Sequence, residues 1–471
     1  MEFEVLPTDD NLDRAILTDS VKRNKYLFEF YNMLNSDANI GVKTVALDGN
    51  WGSGKTFFVK SAILLMNEKS KSRLSEKIEK LLKNSTDEQA RNLKKQLTEL
   101  PDCKLCSFYY DAWLHDSDQY PTLSILNSLC EDKDCHPNTV GVKDIISCLP
   151  DVLRPILEKV SVISSFYTIR DTISQVLSKL PENKYNDLLS SVQNIKNTQI
   201  LMKELLSKVV EELSCEKLVI FIDELDRCNP LYAVKLLEEI KHYYSSEKVL
   251  FVFSVNLTQL KNAVNSVYGD SFESIKYLDR FFDIRLTLPK ADVTNFIRKE
   301  CGEDENEKIL NATIYFVTKY YNFELREIYK YSKVVHFLES DAKHKKIENE
   351  GDTGIQKTYQ FVYYVLLPIM IGLKYKDLPL FDEFVNGKNS SPLVEILSDS
   401  DMLKILKNIF GTSVVVDAEN SNFMDTAYQN IFNRSTSNKE FIGECAFYYD
   451  YDFKPELLSK TCMFQGISGN F

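Results

Sequence analysis

Five short stretches of the chain are rich in apolar or aromatic residues and end on polar or turn-forming ones. They are "KTVALDG" (Lys43 to Gly49), "KLCSFYYDAW" (Lys104 to Trp113), "KLVIFIDELD" (Lys217 to Asp226), "KVLFVFSVN" (Lys248 to Asn256) and "FFDIRLTLP" (Phe281 to Pro289). A strand with one face in water alternates apolar and polar side chains, whereas a strand covered on both faces reads as a continuous apolar run. The runs here are mostly continuous, and helix-period segments separate them. The pattern therefore predicts a parallel sheet with helices on both faces.

The segments between the strands carry their own signals. Asp19 or Ser20 is placed to cap a helix through "VKRNKYLFEFYNML", and "KTFFVKSAILLM" reads as a helix opening directly on a glycine-rich loop. From about residue 67 to 100 the chain is highly charged. Leu74, Ile78, Leu81 and Leu82, then Leu93, Leu97 and Leu100, recur at helical spacing around the turn signal "NSTD". Two amphipathic helices in a hairpin are expected, as a solvated arm or as an arm that binds a partner or touches nucleic acid. Residues 122–213 read as a second helical insertion. After Pro289 the pattern turns helical, so the division expected is 1–290 for a sheet domain with two insertions and 291–471 for a helical lid and C-terminal module. "DAKHKKIENEGDTG" (Asp341 to Gly354) is the best candidate for a mobile connection.

Composition narrows the class. The chain has 471 residues, 44% hydrophobic and 27% charged, with a formal net charge of −12. That describes a soluble globular protein, and the acidic balance argues against a general nucleic-acid coat while leaving a local basic groove possible. The longest uncharged stretch, Thr358 to Leu373, is interrupted by Pro368 and falls short of the ~20 residues that span a bilayer. It reads as a buried helix. No transmembrane segment or signal peptide is expected, and ten cysteines without a secretion signal suggest reduced thiols in the cytoplasm.

The chemistry starts at the loop after the first strand. Gly49, four residues, then Gly54-Lys55-Thr56 is the spacing of a phosphate-binding loop between a strand and a helix. Glycines let backbone N–H groups turn inward at phosphate oxygens, and the helix N-terminus adds positive potential. The loop residues Gly49, Asn50, Trp51, Gly52, Ser53, Gly54, Lys55, Thr56 and Phe57 are the candidate nucleotide contacts. Lys55 is placed to reach the β- and γ-phosphates, and Thr56 to hold Mg²⁺ by its hydroxyl. The third strand ends in Asp223-Glu224, where Asp223 can hold Mg²⁺ through a water and Glu224 can polarise the attacking water. The long separation of the two motifs, with a strand between them in sequence, implies an extra strand between the P-loop strand and the acid strand. That is the arrangement of ATPases with a catalytic glutamate (the ASCE type). No Asn-Lys-x-Asp follows the acid strand, so ATP is expected rather than GTP. Asn256, at the next strand's tip, is a candidate γ-phosphate contact. Arg280 and Arg285 are candidate fingers into a neighbouring subunit, and Arg326 is a candidate sensor on a later helix.

Taken together, "DGNWGSGKT", "FYYDAWLHD", "VIFIDELDRCNP", "KYLDRFF" and "FELREIYKY" resemble the KAP family of P-loop NTPases. Trp51 stands where that family has a tryptophan inside its P-loop. Tyr110 to Trp113 match its aromatic-Asn/Asp-Ala-Trp strand end, and Asp223 to Cys228 match its acid strand. The resemblance runs from about Asp13 to about Gly387. It implies a three-layer α/β/α P-loop core with a helical lid, ATP and Mg²⁺ as ligands, and relatives in bacterial antiviral defence, plasmid exclusion or membrane-associated scaffolds. The expected function is an ATPase that couples ATP binding and hydrolysis to a conformational or assembly change, as an oligomer and with a partner effector. A slowly hydrolysing ATP-gated switch and a nucleic-acid-stimulated motor are the alternatives. Two departures stand out: 122–213 is too charged to span a membrane, and Glu224 replaces the family's usual Asp.

Other signals weigh less. Cys103 and Cys106 form a CxxC near Cys130, Cys135, His115 and His136, but Cys106 falls within a strand and the second pair is oddly spaced, so ordinary thiols are expected rather than zinc. No Ser/His/Asp constellation is evident in the sequence.

Overall fold

The computed structural model describes residues 6–36, 41–84, 88–118, 121–131, 215–243, 248–294, 297, 305–343, 353–410, 422–433, 438–442, 445–450 and 452–462. The chain divides into two compact units: Glu4–Lys290, and Ala291–Phe471 together with Met1–Phe3.

The five apolar stretches form the strands β1 (Thr44–Asp48), β2 (Leu105–Asp111), β3 (Lys217–Asp223), β4 (Val249–Val255) and β5 (Ile284–Thr287). They make one parallel sheet in the order β2-β3-β4-β1-β5. A strand does separate the P-loop strand from the acid strand, but it is β4, which follows the acid strand in the chain. The strand between the motifs in sequence, β2, pairs on the far side of β3. Sequence spacing gives the right count for the wrong strand, because chain order does not fix neighbour order in a parallel sheet.

The absence of polar alternation in β3 and β4 has a direct cause. Leu218, Ile220 and Ile222 enter one hydrophobic core, while Val219 and Phe221 enter another on the opposite face. Phe251 and Phe253 likewise separate from Leu250 and Val252. The helices α1 (Asp9–Thr18), α2 (Asn24–Leu34) and α3 (Lys55–Met66) supply one outer layer. The helices α6 (Pro121–Glu131), α7 (Pro230–Tyr243) and α8 (Leu257–Tyr268) supply the other. The result is the three-layer α/β/α core the pattern called for.

Two local expectations change. Asp19 does serve the helix of residues 24–34, its Oδ1 accepting from the backbone N–H of Arg23 (2.9 Å) and Asn24 (3.0 Å). The helix starts three residues later than the apolar pattern suggests, because Lys22 has a left-handed φ of 55° that no helix tolerates. The charged hairpin forms as α4 (Glu68–Asn84) and α5 (Glu88–Glu99), but it is not a free arm. Leu74, Ile78, Leu93 and Leu97 are buried in the core shared with α1 to α3. Arg73 and Lys77 both reach the buried carboxylate of Asp13 on α1, at 2.9 and 2.7 Å. The second insertion, 122–213, begins as α6 and continues outside the described residues. So do Cys135, His136 and most of the connection expected at 341–354.

The second unit is built largely of helices around its own core. The uncharged stretch from Thr358 is buried helix as expected, with a π-helical turn at Val362–Leu366. Pro368 cannot donate to the carbonyl four residues earlier, and a widened turn beside it relieves the mismatch. The C-terminal part is not wholly helical: Asn438–Ile442 and Cys445–Tyr449 pair as an antiparallel hairpin, β6 and β7. The period-two alternation that a hairpin needs is short here and masked by its density of aromatics.

Candidate nucleotide site

β1 delivers the chain into the loop at Asp48, and α3 takes it up at Lys55. Gly52 and Gly54 have φ of 81° and 92°, which a side chain would strain. Gly49 is glycine for space. A Cβ there would meet Ser53 Oγ at 3.0 Å, Lys55 Cγ at 3.3 Å and Leu288 Cβ at 3.4 Å. The Lys55 ammonium folds onto the loop, donating to the carbonyls of Gly49 (2.6 Å) and Asn50 (3.1 Å). Burial lowers its pKa, while Asp226, Asp223, Glu224 and Asp48 each pull it back up. The lysine therefore faces four carboxylates. Ser53 Oγ is buried with no hydrogen-bond partner among the described residues, a donor left for a ligand oxygen. Asn50 and Trp51 are exposed at the loop tip, Thr56 is half-buried on the first turn of α3, and Phe57 packs its ring toward the core.

The acids converge from β3. Asp223 is 1% exposed. Its Oδ2 accepts from the Tyr109 hydroxyl at 3.0 Å, and its Oδ1 from the Glu224 backbone N–H at 3.0 Å. Tyr109 comes from β2, and burial beside Asp223 raises its pKa, so it stays a donor. The Lys60 ammonium lies 4.4 Å from the Tyr109 ring centre. Glu224 sits in a left-handed conformation (φ 60°) that turns the chain sharply off the strand. Its carboxylate is paired with Arg227, whose guanidinium lies 5.4 Å over the Trp113 ring. Burial raises the Glu224 pKa to about 7, against the lowering effect of Arg227 and with help from Asp223, Asp226 and Asp111. The Trp51 indole N–H donates to Asp226, tying the P-loop tip to the turn after the acid strand.

Between the loop and the acids stands the tip of β4. The Asn256 oxygen caps α8, accepting from the N–H groups of Thr258 (3.1 Å) and Gln259 (3.2 Å). With the oxygen committed, the planar amide presents its NH₂ on the other side. Asp48 Oδ1 takes the next N–H, that of Leu257, at 2.9 Å. Ser254, opposite Asp223 in the sheet, is fully buried with its hydroxyl unpartnered among the described residues.

The arginines are placed differently. Arg280 is exposed in the turn before β5, and its carbonyl accepts from Lys241. β5 runs parallel to β1, so Arg280 lies at the opposite end of the sheet from the loop, roughly 15 Å away at the ~3.3 Å rise of a strand. It is not part of its own chain's site. Arg285 on β5 is exposed and paired with Asp279. Arg326, the second residue of the helix Leu325–Lys343, belongs to the second unit and is exposed there.

Sequence reading missed Tyr109, Asp48, the Trp51–Asp226 bond and Arg23. Tyr109 was visible only as one aromatic among several. Arg23 is buried and bonds the Ser53 carbonyl from another part of the chain. Also unforeseen is a chain of contacts from Asp118 Oδ2 to His115 Nδ1 (3.2 Å) and from His115 Nε2 to Ser128 Oγ (3.5 Å). Ser128 lies inside α6, where helical bonds use up the backbone N–H groups an oxyanion would need. The set braces the turn after β2, with His115 stacked on Tyr110. Among the described residues no cluster of three metal-ligating side chains occurs, and neither Cys103 nor Cys106 is in a disulfide. No described helix is long and apolar enough to cross a membrane.

The residues fit a nucleotide and its cation. The loop offers two glycines of positive φ, a hydroxyl unpartnered among the described residues and a lysine, and Asp223 and Thr56 offer the oxygen donors a hard divalent ion takes. No curated protein matches the sequence. Among solved structures, the ORC2 protein of Aeropyrum pernix (ADPNP–ADP complexes) is similar over 93% of each chain at 12% identity, with a TM-score of 0.30, an overlap too loose to compare residue by residue. The model of the KAP family P-loop domain matches residues 23–340. The loop that Gly49 opens and the parallel sheet that carries it are thus those of a member of the KAP family of P-loop NTPases, to which this chain belongs.

Proposed function

We propose that the protein is an Mg²⁺-dependent ATPase that uses ATP binding and hydrolysis to drive a conformational or assembly change. The observation that carries this is the tip of β4: its place between β1 and β3 brings Lys55, Asp223, Glu224 and Asn256 to one edge of the sheet. Lys55 binds the β- and γ-phosphates in place of the loop carbonyls it now holds. Asp223, oriented by Tyr109, and Thr56 hold Mg²⁺, which supplies neutralising charge to the phosphate oxygens. Glu224 orients and deprotonates the water. Asn256 donates its NH₂ to the γ-phosphate. Arg280, remote from its own site, serves a neighbouring copy, and Arg326 reports nucleotide state within the second unit.

A steady-state assay tests this. Glu224→Gln removes the base and lowers turnover by roughly 10²–10⁴-fold with ATP still bound. Lys55→Ala abolishes binding. Unchanged turnover in Glu224→Gln would sink the assignment.

One observation favours a second reading, a slow ATP-gated switch. The Glu224 carboxylate is engaged in an ion pair with Arg227, which competes with its orienting a water. Tight ATP retention with negligible turnover in the intact protein would select that reading. For the setting we put forward bacterial antiviral defence with a partner effector, on the family resemblance. Phage plating on cells carrying the wild-type or the Lys55→Ala gene tests the setting, and mass measurement with and without ATP tests assembly.

A further inference from the structure

The P-loop is braced at two points against the chain that leaves β5. At its start, the Leu288 N–H donates to the carbonyl of Asp48, the residue before Gly49, at 2.7 Å. At its far side, the Arg23 guanidinium bridges two backbone carbonyls. Nη1 donates to Ser53 in the loop (2.7 Å), while Nε (2.9 Å) and Nη2 donate to Pro289. Arg23 is 8% exposed. Its own backbone is fixed by Asp19 Oδ1, so the side chain projects from an anchored point at the start of α2. Pro289 is the penultimate residue of the sheet unit, and the second unit begins at Ala291. A guanidinium has donors in a rigid planar fork, so one carbonyl cannot shift without the other carbonyl or the fork following.

We propose that Arg23 is a positioning residue that transmits the conformation of the P-loop to the 288–290 exit segment, and so to the point where the chain enters the second unit. The proposal rests on the reading that ATP drives a conformational change. Arg23 touches neither phosphate nor water in this scheme: Ser53 offers it the backbone carbonyl, while the Ser53 hydroxyl is left unpartnered among the described residues. Phosphate entry draws Lys55 off the Gly49 and Asn50 carbonyls and reshapes the loop from which Arg23 takes one of its two bonds.

The test is amide hydrogen exchange of the full chain, with and without Mg²⁺ and a non-hydrolysable ATP analogue, read on peptides covering 286–294. Wild type is expected to change its exchange there on binding. Arg23→Met keeps the apolar stem and both ends of the loop but removes the fork. It is expected to bind the analogue nearly as wild type does while the change at 286–294 shrinks by roughly fivefold or more, the equivalent of losing one buried hydrogen bond. Arg23→Lys, whose single ammonium cannot hold both carbonyls in the fork's geometry, is the second variant in case the first fails to fold, and an intermediate loss is expected. A full wild-type change in a variant that binds the analogue overturns the proposal and leaves the ATPase reading standing. Loss of analogue binding in a folded Arg23→Lys also overturns it, making Arg23 part of the nucleotide cradle. No change at 286–294 in a wild type that binds the analogue overturns the relay while the ATPase assay still decides hydrolysis.

Discussion

At the scale of single residues, what decides the site is how each acid is held. Asp223 is nearly inaccessible yet has a donor on each oxygen, so neutral hydrogen bonds compensate its charge. Tyr109→Phe removes one of those donors and leaves the ring. Such outer partners of metal ligands are typically worth 10–100-fold in metal affinity. The expected outcome is a rise of roughly tenfold or more in the Mg²⁺ concentration for half-maximal turnover, with metal-free ATP binding unchanged. An unchanged Mg²⁺ dependence would remove Asp223 from the metal's ligands or Tyr109 from its support. Gly49→Ala makes a different demand. The new methyl meets Ser53 and Lys55 at distances where something must give. ATP affinity is expected to fall about tenfold, the equivalent of ~1.4 kcal/mol, with little change in thermal stability. Lys55, Asp223 and Glu224 were legible in the sequence because their spacing relative to a strand and a helix is local. Tyr109, Asp48 and Arg23 were not, because each acts on a residue far away in the chain.

At the scale of elements, the hairpin α4–α5 shows how a sequence can mislead. Its charge and amphipathic stripe suit a solvated arm equally well. The deciding fact is Asp13, a buried carboxylate on α1 with two cations from α4 as partners. Removing both cations leaves that charge buried alone, whereas removing the carboxylate leaves two cations that can turn to water. Arg73→Ala/Lys77→Ala is therefore expected to cost about 3–5 kcal/mol, and Asp13→Ala clearly less. Denaturant unfolding of the two variants gives the order, and the reverse order would show that the hairpin is held by its leucines alone. In the sheet, Phe221 is fully buried on β3. Phe221→Ala is expected to cost roughly 3–5 kcal/mol, against less than about 0.5 for the exposed Leu114→Ala. The strands were legible because a doubly covered strand leaves an unbroken apolar run. Their order was only half legible: that a strand intervenes followed from the motifs, but which strand did not.

At the scale of the whole molecule, the described residues form separate cores: two lie on the faces of the sheet in the first unit, and another lies wholly in the second. Two compact units with their own cores are expected to unfold in two transitions rather than one. Saturating Mg·ATP stabilises the unit that carries the P-loop directly, by about 2.7 kcal/mol at a hundred times Kd, and the other unit only as far as it responds to the nucleotide. Calorimetry should show the first unit's transition moving upward by more than the second's, and a single shared transition would contradict this division. The sequence by itself determined the parallel sheet, the phosphate loop, the acid pair and the family, because each is written in residues close together in the chain and in patterns that burial and phosphate geometry force. Only the tertiary structure decided that β4 is the strand between the motifs, that Tyr109 orients Asp223, that Arg280 lies far from its own site, and that Arg23 joins the loop to the exit of β5. Those are contacts across long chain separations, set by which faces pack together once the sheet has formed, and no local pattern encodes them.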